Sequence, residues 1–257
     1  MVELYAAETG VHAVSFDELV YLPSEQRYEE RVRLSPGTAM ISVSGSELKG
    51  FIYRNECVPS WFMRPDVSAI LAAAHPSRSH QGFCVWFTGL SGAGKSTTAE
   101  IVAVRLLESG RRVTLLDGDV VRTHLSKGLD FTRAGRDANV RRIAFVASEI
   151  VRHGGAVLCA AVSPYSDTRS ECRLMVGSDN FIEVFVDTPL EVCEARDEKG
   201  IYAQARRGTI QNFTGISDPY EPPVTPDIHL ETVSTSAEAN SEIVVRFLMD
   251  RGFLPRP

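Results

Sequence analysis

Over the last two-thirds of the chain, short continuous apolar runs alternate with stretches whose apolar positions recur every three or four residues. The first kind has the length of strands covered on both faces, and the second has helical period. The runs are Phe83–Thr88, Val113–Leu116, Ala156–Val162, Phe181–Asp187 and Ile228–Leu230. A helix is predicted from Thr98 to about Ser109, with Ala99, Val102, Ala103, Leu106 and Leu107 on its apolar face. A second spans Asn139 to His153, burying Val140, Ile143, Ala144, Ala147, Ile150 and Val151, and Gly154-Gly155 closes it. A third runs from about Ser236 to Arg251, with Ile243, Val244, Phe247 and Leu248 inward. Thr188-Pro189-Leu190-Glu191 reads as a helix start, with Thr188 as N-cap, Pro189 next and Glu191 completing a capping box. Repeated strand and helix units predict an α/β fold, a parallel sheet with helices on both faces.

Residues 1–76 follow a different pattern and read as a small α+β segment. Glu18–Leu22 and Met40–Val43 look like short strands punctuated by Pro23, Pro36 and Gly37. Helices are predicted from Ser46 to Arg54 and from Pro65 to Ala74, the first behind a capping box at Ser44–Glu47. Trp61 and Phe62 look like core anchors. The polar, Pro- and Gly-marked stretch His75–Gly82 reads as a linker, its histidines lacking metal-ligand spacing. The larger domain therefore occupies 77–257.

The turn after the first apolar run of that domain is Gly89-Leu90-Ser91-Gly92-Ala93-Gly94-Lys95-Ser96-Thr97, which fits G-x-x-x-x-G-K-[ST]. Glycines allow positive φ, so that successive backbone N–H groups turn inward on an anion. Lys95 can then reach the outer phosphates, the Ser96 hydroxyl can hold Mg²⁺, and the following helix adds its positive N-terminus. By composition such a match arises on the order of once in a hundred chains of this length. The sheet is therefore of the P-loop NTPase type.

Strand ends in an open parallel sheet face the ligand crevice, so Asp117 and Asp119, after Leu116, fall opposite the cradle. A carboxylate there can accept a proton from an attacking hydroxyl, hold Mg²⁺ through water, or simply cap the helix beginning at Val120. Arg122, Arg133, Arg136, Arg141 and Arg142 follow, with Phe131 and Asn139 among them. They read as a solvated face or as a second anion pocket, with the aromatic stacking on a base. Ser163 leaves the third strand at the same edge, and the next helix carries Arg169 and Arg173. Asp197–Pro226 turns polar and aromatic, as a lid that excludes water would.

A net charge of −6 argues against a general nucleic-acid or membrane surface. Five cysteines without a C-x-x-C pair signal neither zinc nor a disulfide framework, and free thiols suit the cytoplasm. Met1–Leu4 lacks the regions of a signal peptide, and no apolar run approaches membrane-spanning length. No Asn-Lys-x-Asp guanine-reading sequence occurs, which disfavours a signalling GTPase.

In combination, Gly89–Thr97, Leu116–Asp119, Asn139–Arg142, Val162–Tyr165, Leu190–Asp197, Lys199–Tyr202 and Phe213–Glu221 resemble the motif series of adenylylsulfate (APS) kinases, over about residues 81–252. The resemblance implies transfer of a phosphoryl group from MgATP to the 3′-hydroxyl of APS, giving 3′-phosphoadenylylsulfate (PAPS) and ADP in sulfate assimilation. It implies that Gly89–Thr97 and Arg196 bind ATP, with Mg²⁺ on Ser96 and, through water, Asp117. Asp119 would serve as base or orienter at the 3′-hydroxyl. Arg122, Arg136 and Asn139 would hold the phosphosulfate and ribose, with Val162 and Ser163 beside them. Phe131 and Phe213 would sandwich the adenine, and Lys199 would enter with the lid. Ser163 matches a position described as a phosphoserine intermediate, but in-line transfer needs none, so a binding role is expected. A homo-oligomer, dimer or larger, is also implied.

Val120, Thr123-His124, Asp130 and Gly135 depart from the family pattern, which has Asn, His-Gly, Gly and an acid there. They bear on affinity and on the 120–137 loop more than on the reaction. Phe16–Tyr21, Val43–Leu48 and Pro59–Val67 resemble the end of an ATP sulfurylase catalytic region, over about residues 14–75. The sulfurylase Gln-x-Arg-Asn-Pro and Gly-Arg-Asp-His stretches are absent, so no sulfurylase activity is expected. Alternatives to APS kinase are another P-loop small-metabolite kinase and a catalytically silent domain that binds PAPS and regulates a fused sulfurylase.

Overall fold

A computed structural model describes residues 17–53, 56–74, 76–197 and 199–255. Met1–Leu4, Phe16, Arg54 and His75, which entered the readings above, lie outside the described residues. The chain divides into two compact units, Met1–Ser77 and Arg78–Pro257.

In the first unit β1 (Leu19–Leu22) pairs antiparallel with β2 (Arg27–Glu30), Leu19 opposite Glu30 and Leu22 opposite Arg27. The charged sequence of β2 gives no strand signal of its own; pairing with β1 makes it one. Met40–Val43 does not form the expected strand, and only Ile41 bridges to Tyr21. Helices α1 (Gly45–Tyr53) and α2 (Pro65–Ala74) follow. The capping box is present: Ser44 N donates to Glu47 Oε2 at 2.7 Å and Glu47 N to Ser44 Oγ at 3.2 Å. Trp61 stacks on Tyr21 at 4.6 Å between centroids, half-buried rather than enclosed.

The second unit holds five parallel strands in the order β4-β5-β3-β6-β7. They are β3 (Phe83–Thr88), β4 (Val113–Asp117), β5 (Ala156–Ala160), β6 (Phe181–Asp187) and β7 (Ile228–Glu231). The helices are α3 (Lys95–Glu108), α4 (Gly118–His124), α5 (Arg133–Arg152), α6 (Ser166–Val176), α7 (Leu190–Ala195), α8 (Ile201–Arg206) and α9 (Ala237–Asp250). Central strand β3 is buried throughout and its side chains alternate between two cores. Phe83, Val85 and Phe87 pack with α3 and α9, while Cys84 and Trp86 pack with α5 and α6.

Several boundaries move. Helix α3 starts at Lys95 rather than Thr98, because Gly94 at φ 98° is its cap. Helix α5 starts at Arg133, six residues before the expected Asn139, because Thr132 Oγ1 accepts from Gly135 N at 3.1 Å. Thr188 is not an N-cap: Pro189 holds that place, and the Thr188 hydroxyl donates to Ala93 O at 3.0 Å instead. Leu107 and Ile243, expected inward, are largely exposed at the edges of their helical faces.

Candidate active site

The loop between β3 and α3 has the curl its glycines predict, with φ of 151°, 73° and 98° at Gly89, Gly92 and Gly94. Close packing adds a second reason at Gly89, where a Cβ would stand 2.5 Å from Val186 O. Lys95 is buried, and its Nζ donates to Gly89 O at 3.0 Å and Leu90 O at 2.6 Å. Burial lowers its pKa to about 8, against the weaker pull of Cys193, Asp117 and Asp119. An arriving polyphosphate supplies the counter-charge this ammonium lacks.

Across the loop, Asp117 at the end of β4 does one of the jobs considered for it and makes one further contact. Its Oδ1 accepts Asp119 N at 3.0 Å and so caps α4, which begins at Gly118 and not at Val120. Its Oδ2 accepts the Ser96 hydroxyl at 2.5 Å. Two hard oxygens this close, at one wall of a cavity, fit the donor set that Mg²⁺ prefers.

That cavity, of about 540 Å³, is lined by Ser91, Gly92 and Gly94–Thr98 on one side, and by Asp117–Asp119 and Ala160–Val162 on another. Arg196 lines it too, its guanidinium donating to Thr232 O at 2.9 Å. Gly89, Leu90 and Ala93 are not among the residues that line it. Sequence reasoning missed Thr232, Thr235, Ser236, Ala237 and Asn240, which extend the lining beyond Arg196. The Asn240 Oδ1 there is buried without a hydrogen-bond partner among the described residues. The only sequence signal for this stretch is Ser236, which caps α9 through Ala239 N.

Of the expected acceptor residues, Asp119, Val162 and Lys199 reach this cavity. Lys199 Nζ forms an ion pair with Asp119 Oδ2, both side chains mostly exposed. The lid segment that carries Lys199 includes α8, whose Tyr202 hydroxyl donates to Ser91 O at 2.8 Å.

Other acceptor residues gather around the start of α5. Arg122 lies over the half-exposed Phe131 ring at 4.3 Å. Burial, and next the neighbouring Arg136 charge, lower the Arg122 pKa. Arg136 is buried and pairs with Asp218 at 2.6 Å. One turn on, Asn139 is buried and its Oδ1 has no hydrogen-bond partner among the described residues. Phe213 meets Tyr202 edge-on at 4.9 Å. Ser163 is buried at φ 46°, a strained setting for a residue with a side chain, and its Oγ accepts from Trp86 Nε1 at 3.1 Å.

The arginine cluster divides. Position 141 stands about 140° round the helix from 136, and Arg141 there forks onto the exposed Glu171 at 2.6 and 3.2 Å. Arg142 donates to Leu125 O at 3.0 Å. Neither joins the pocket. Arg169 and Arg173 are likewise committed, to Glu183 at 2.9 Å and Asp227 at 2.7 Å. Two departures from the family pattern fit each other: Asp130 accepts from Thr132 N at 3.1 Å, and a Cβ on Gly135 would stand 2.3 Å from Asp130 Oδ1 and 2.6 Å from Asp130 O.

A parallel sheet whose central strand feeds a glycine cradle, with acids at the neighbouring strand end and a lid above, defines a P-loop nucleotide-binding protein. Comparison with known families narrows the class. Residues 81–231 match adenylylsulphate kinase and residues 1–74 match ATP-sulfurylase. The chain belongs to the adenylylsulphate kinase family, preceded by an ATP-sulfurylase segment. It is 41% identical to the sulfate adenylyltransferase of Emericella nidulans, over 99% of this chain and 45% of that protein. The chain thus spans less than half the length of the curated relatives it matches. A structure titled hexameric APS kinase from Thiobacillus denitrificans superposes with a TM-score of 0.79 at 35% identity, covering 98% of this chain and 46% of that one. The Mycobacterium tuberculosis APS kinase CysC, solved with AMPPNP and APS, gives 0.63 at 44% identity over 66% and 98%. Among the described residues no helix is long and apolar enough to cross a membrane.

Proposed function

We propose that the chain transfers the γ-phosphoryl group of ATP to the 3′-hydroxyl of APS, giving PAPS and ADP. The observation that carries this reading is the meeting of Asp119 with Lys199 at a cavity whose opposite wall is the phosphate loop. A hydroxyl brought to Asp119 hands its proton to that carboxylate as its oxygen bonds to phosphorus and the bond to the β-phosphate oxygen breaks. Lys95 and Lys199 offset charge on the moving group, while Gly89–Thr97 and Arg196 hold the nucleotide. Ser96 and, through water, Asp117 are the residues that would hold Mg²⁺, whose chemistry when bound is to neutralise phosphate charge. Arg122, Arg136, Asn139, Phe131 and Phe213 bind the acceptor, and Val162 and Ser163 shape its edge. Ser163 is a binding residue in this reading, because in-line transfer needs no covalent intermediate.

A coupled ADP assay with APS, shikimate, gluconate and nucleoside monophosphates tests this. Turnover with APS alone is expected; preference for another acceptor would replace APS in the proposal.

The relatives named sulfate adenylyltransferase favour a second reading, a silent PAPS-binding domain that regulates a sulfurylase. The complete Lys95, Ser96 and Asp119 set speaks against it, and turnover by this chain eliminates it. Residues 1–76 are proposed to be non-catalytic, so pyrophosphate-dependent ATP synthesis from APS should be undetectable. A cytoplasmic homo-oligomer is proposed as the working form; light scattering after gel filtration checks the assembly.

A further inference from the structure

The Arg136 guanidinium is buried, and a buried cation without a partner is costly. One nitrogen meets that demand: NH1 donates to Asp218 Oδ2 at 2.6 Å and to Thr214 Oγ1 at 2.6 Å. The Tyr165 hydroxyl donates to the same Asp218 oxygen at 2.5 Å. Burial, and then Asp218 itself, push the Tyr165 pKa up to about 12, so it stays a donor. Arg133 covers the Tyr165 ring at 4.3 Å. Asp218 also closes a tight lid turn, its N donating to Phe213 O at 3.1 Å and its O accepting from Gly215 N at 2.8 Å. Among the described residues, Nε and NH2 of Arg136 have no hydrogen-bond partner. One helical turn along the same face, Asn139 presents its own unpartnered oxygen. The unused Arg136 donors suit an anionic group and the unused Asn139 oxygen a hydroxyl or amine, so the two together point to a ligand at this end of α5 that carries both.

We propose that Asp218 is a positioning residue of the acceptor site, holding Arg136 by one nitrogen, leaving its other donors for the anion, and tying that arrangement to the lid turn that carries Phe213. The inference rests on the acceptor reading given above. Two effects of Asp218 oppose each other: its charge offsets that of Arg136, which weakens anion attraction, and its oxygen fixes the guanidinium, which strengthens binding. Substitution separates them. Asp218→Asn keeps an oxygen for Arg136 and Tyr165 while removing the charge; Asp218→Ala removes both.

The test is steady-state kinetics of the full chain with each substrate varied in turn. If positioning dominates, Asp218→Ala raises the APS KM about tenfold or more, as expected for a lost bond to a charged group, and moves the ATP KM less than about twofold. Asp218→Asn returns the APS KM to within about threefold of the parent. Should Asp218→Ala fail to fold, Thr214→Val carries the test, with an expected rise in APS KM of about twofold to fivefold at constant ATP KM. An unchanged or lowered APS KM in Asp218→Ala, equal shifts for both substrates, or an Asn variant as impaired as the Ala variant overturns the proposal. Equilibrium titration with APS in the presence of ADP reads the same differences without turnover. A parent chain that binds APS but does not phosphorylate it therefore overturns only the functional reading, and one that does not bind APS overturns both.

Discussion

The two halves of the proposed site, the phosphate loop that lines the cavity and the acceptor residues of which only part reach it, are built by different means. On the donor side the contacts come from backbone: a glycine loop fixed between β3 and α3, with Lys95 folded onto its own carbonyls. On the proposed acceptor side they come from long side chains delivered by α4, α5 and the lid, and held by ion pairs such as Arg136 with Asp218. A site made of backbone is sensitive to change chiefly at its glycines and its lysine, whereas one made of side chains can be retuned residue by residue. Variation in what the protein binds should therefore fall on the acceptor side.

Substitutions that separate the two sides sharpen this contrast. The largest effect is expected from Asp119→Asn, which should lower kcat about 10²- to 10⁴-fold while APS still binds, as measured by single-turnover kinetics and titration. Lys95→Ala should cost about 10²- to 10³-fold in kcat with the fold intact by circular dichroism, because removing a buried amine relieves a burial cost. Gly135→Ala should raise the APS KM about tenfold, since the Asp130 backbone must yield, and adding Asp130→Gly should recover part of the loss in a double-mutant cycle.

A smaller effect follows from the lowered pKa of Lys95. Phosphate raises that pKa on binding, so ATP affinity should fall by up to about tenfold per pH unit above pH about 8. Calorimetry in two buffers of different ionisation enthalpy should detect proton uptake there, absent in Lys95→Ala. The sign for folding is the reverse. Between about 8 and the ordinary lysine value the unfolded chain binds the extra proton, so this group makes the free protein more stable as pH rises. The smallest expected effect is from Ser163→Ala, with turnover within about tenfold of the parent, as loss of one neutral hydrogen bond implies. Complete loss of turnover would instead favour a covalent role.

The phosphate loop itself was nearly all legible in the chain, because a strand, nine consecutive residues and a helix make it, whereas the Thr232–Asn240 stretch that extends the lining was not. What was misjudged there was local: Gly94 starts α3 early, and Thr188 braces the loop rather than capping a helix. The acceptor side was legible only as residue types. Nothing in periodicity joins Arg136 to Asp218, 82 positions away, and the expected start at Asn139 left Arg136 outside the helix whose period separates it from Arg141. Tyr165 and Asp218 entered only as members of motifs, without a role, because each lies in a loop whose partners only the assembled sheet supplies. In the first unit, β2 became a strand by pairing, while Met40–Val43 alternates yet pairs at one residue alone.

The full enclosure of β3 on both faces has a consequence for how the site can be lost. A ladder with neighbours on each side and a core above and below has no route to solvent short of global opening, so the amides of Phe83–Thr88 should exchange with heavy water among the slowest in the chain. The phosphate loop springs from the end of that ladder. Melting should therefore abolish nucleotide binding and the larger unit together, with no intermediate that keeps the sheet and forfeits the cradle.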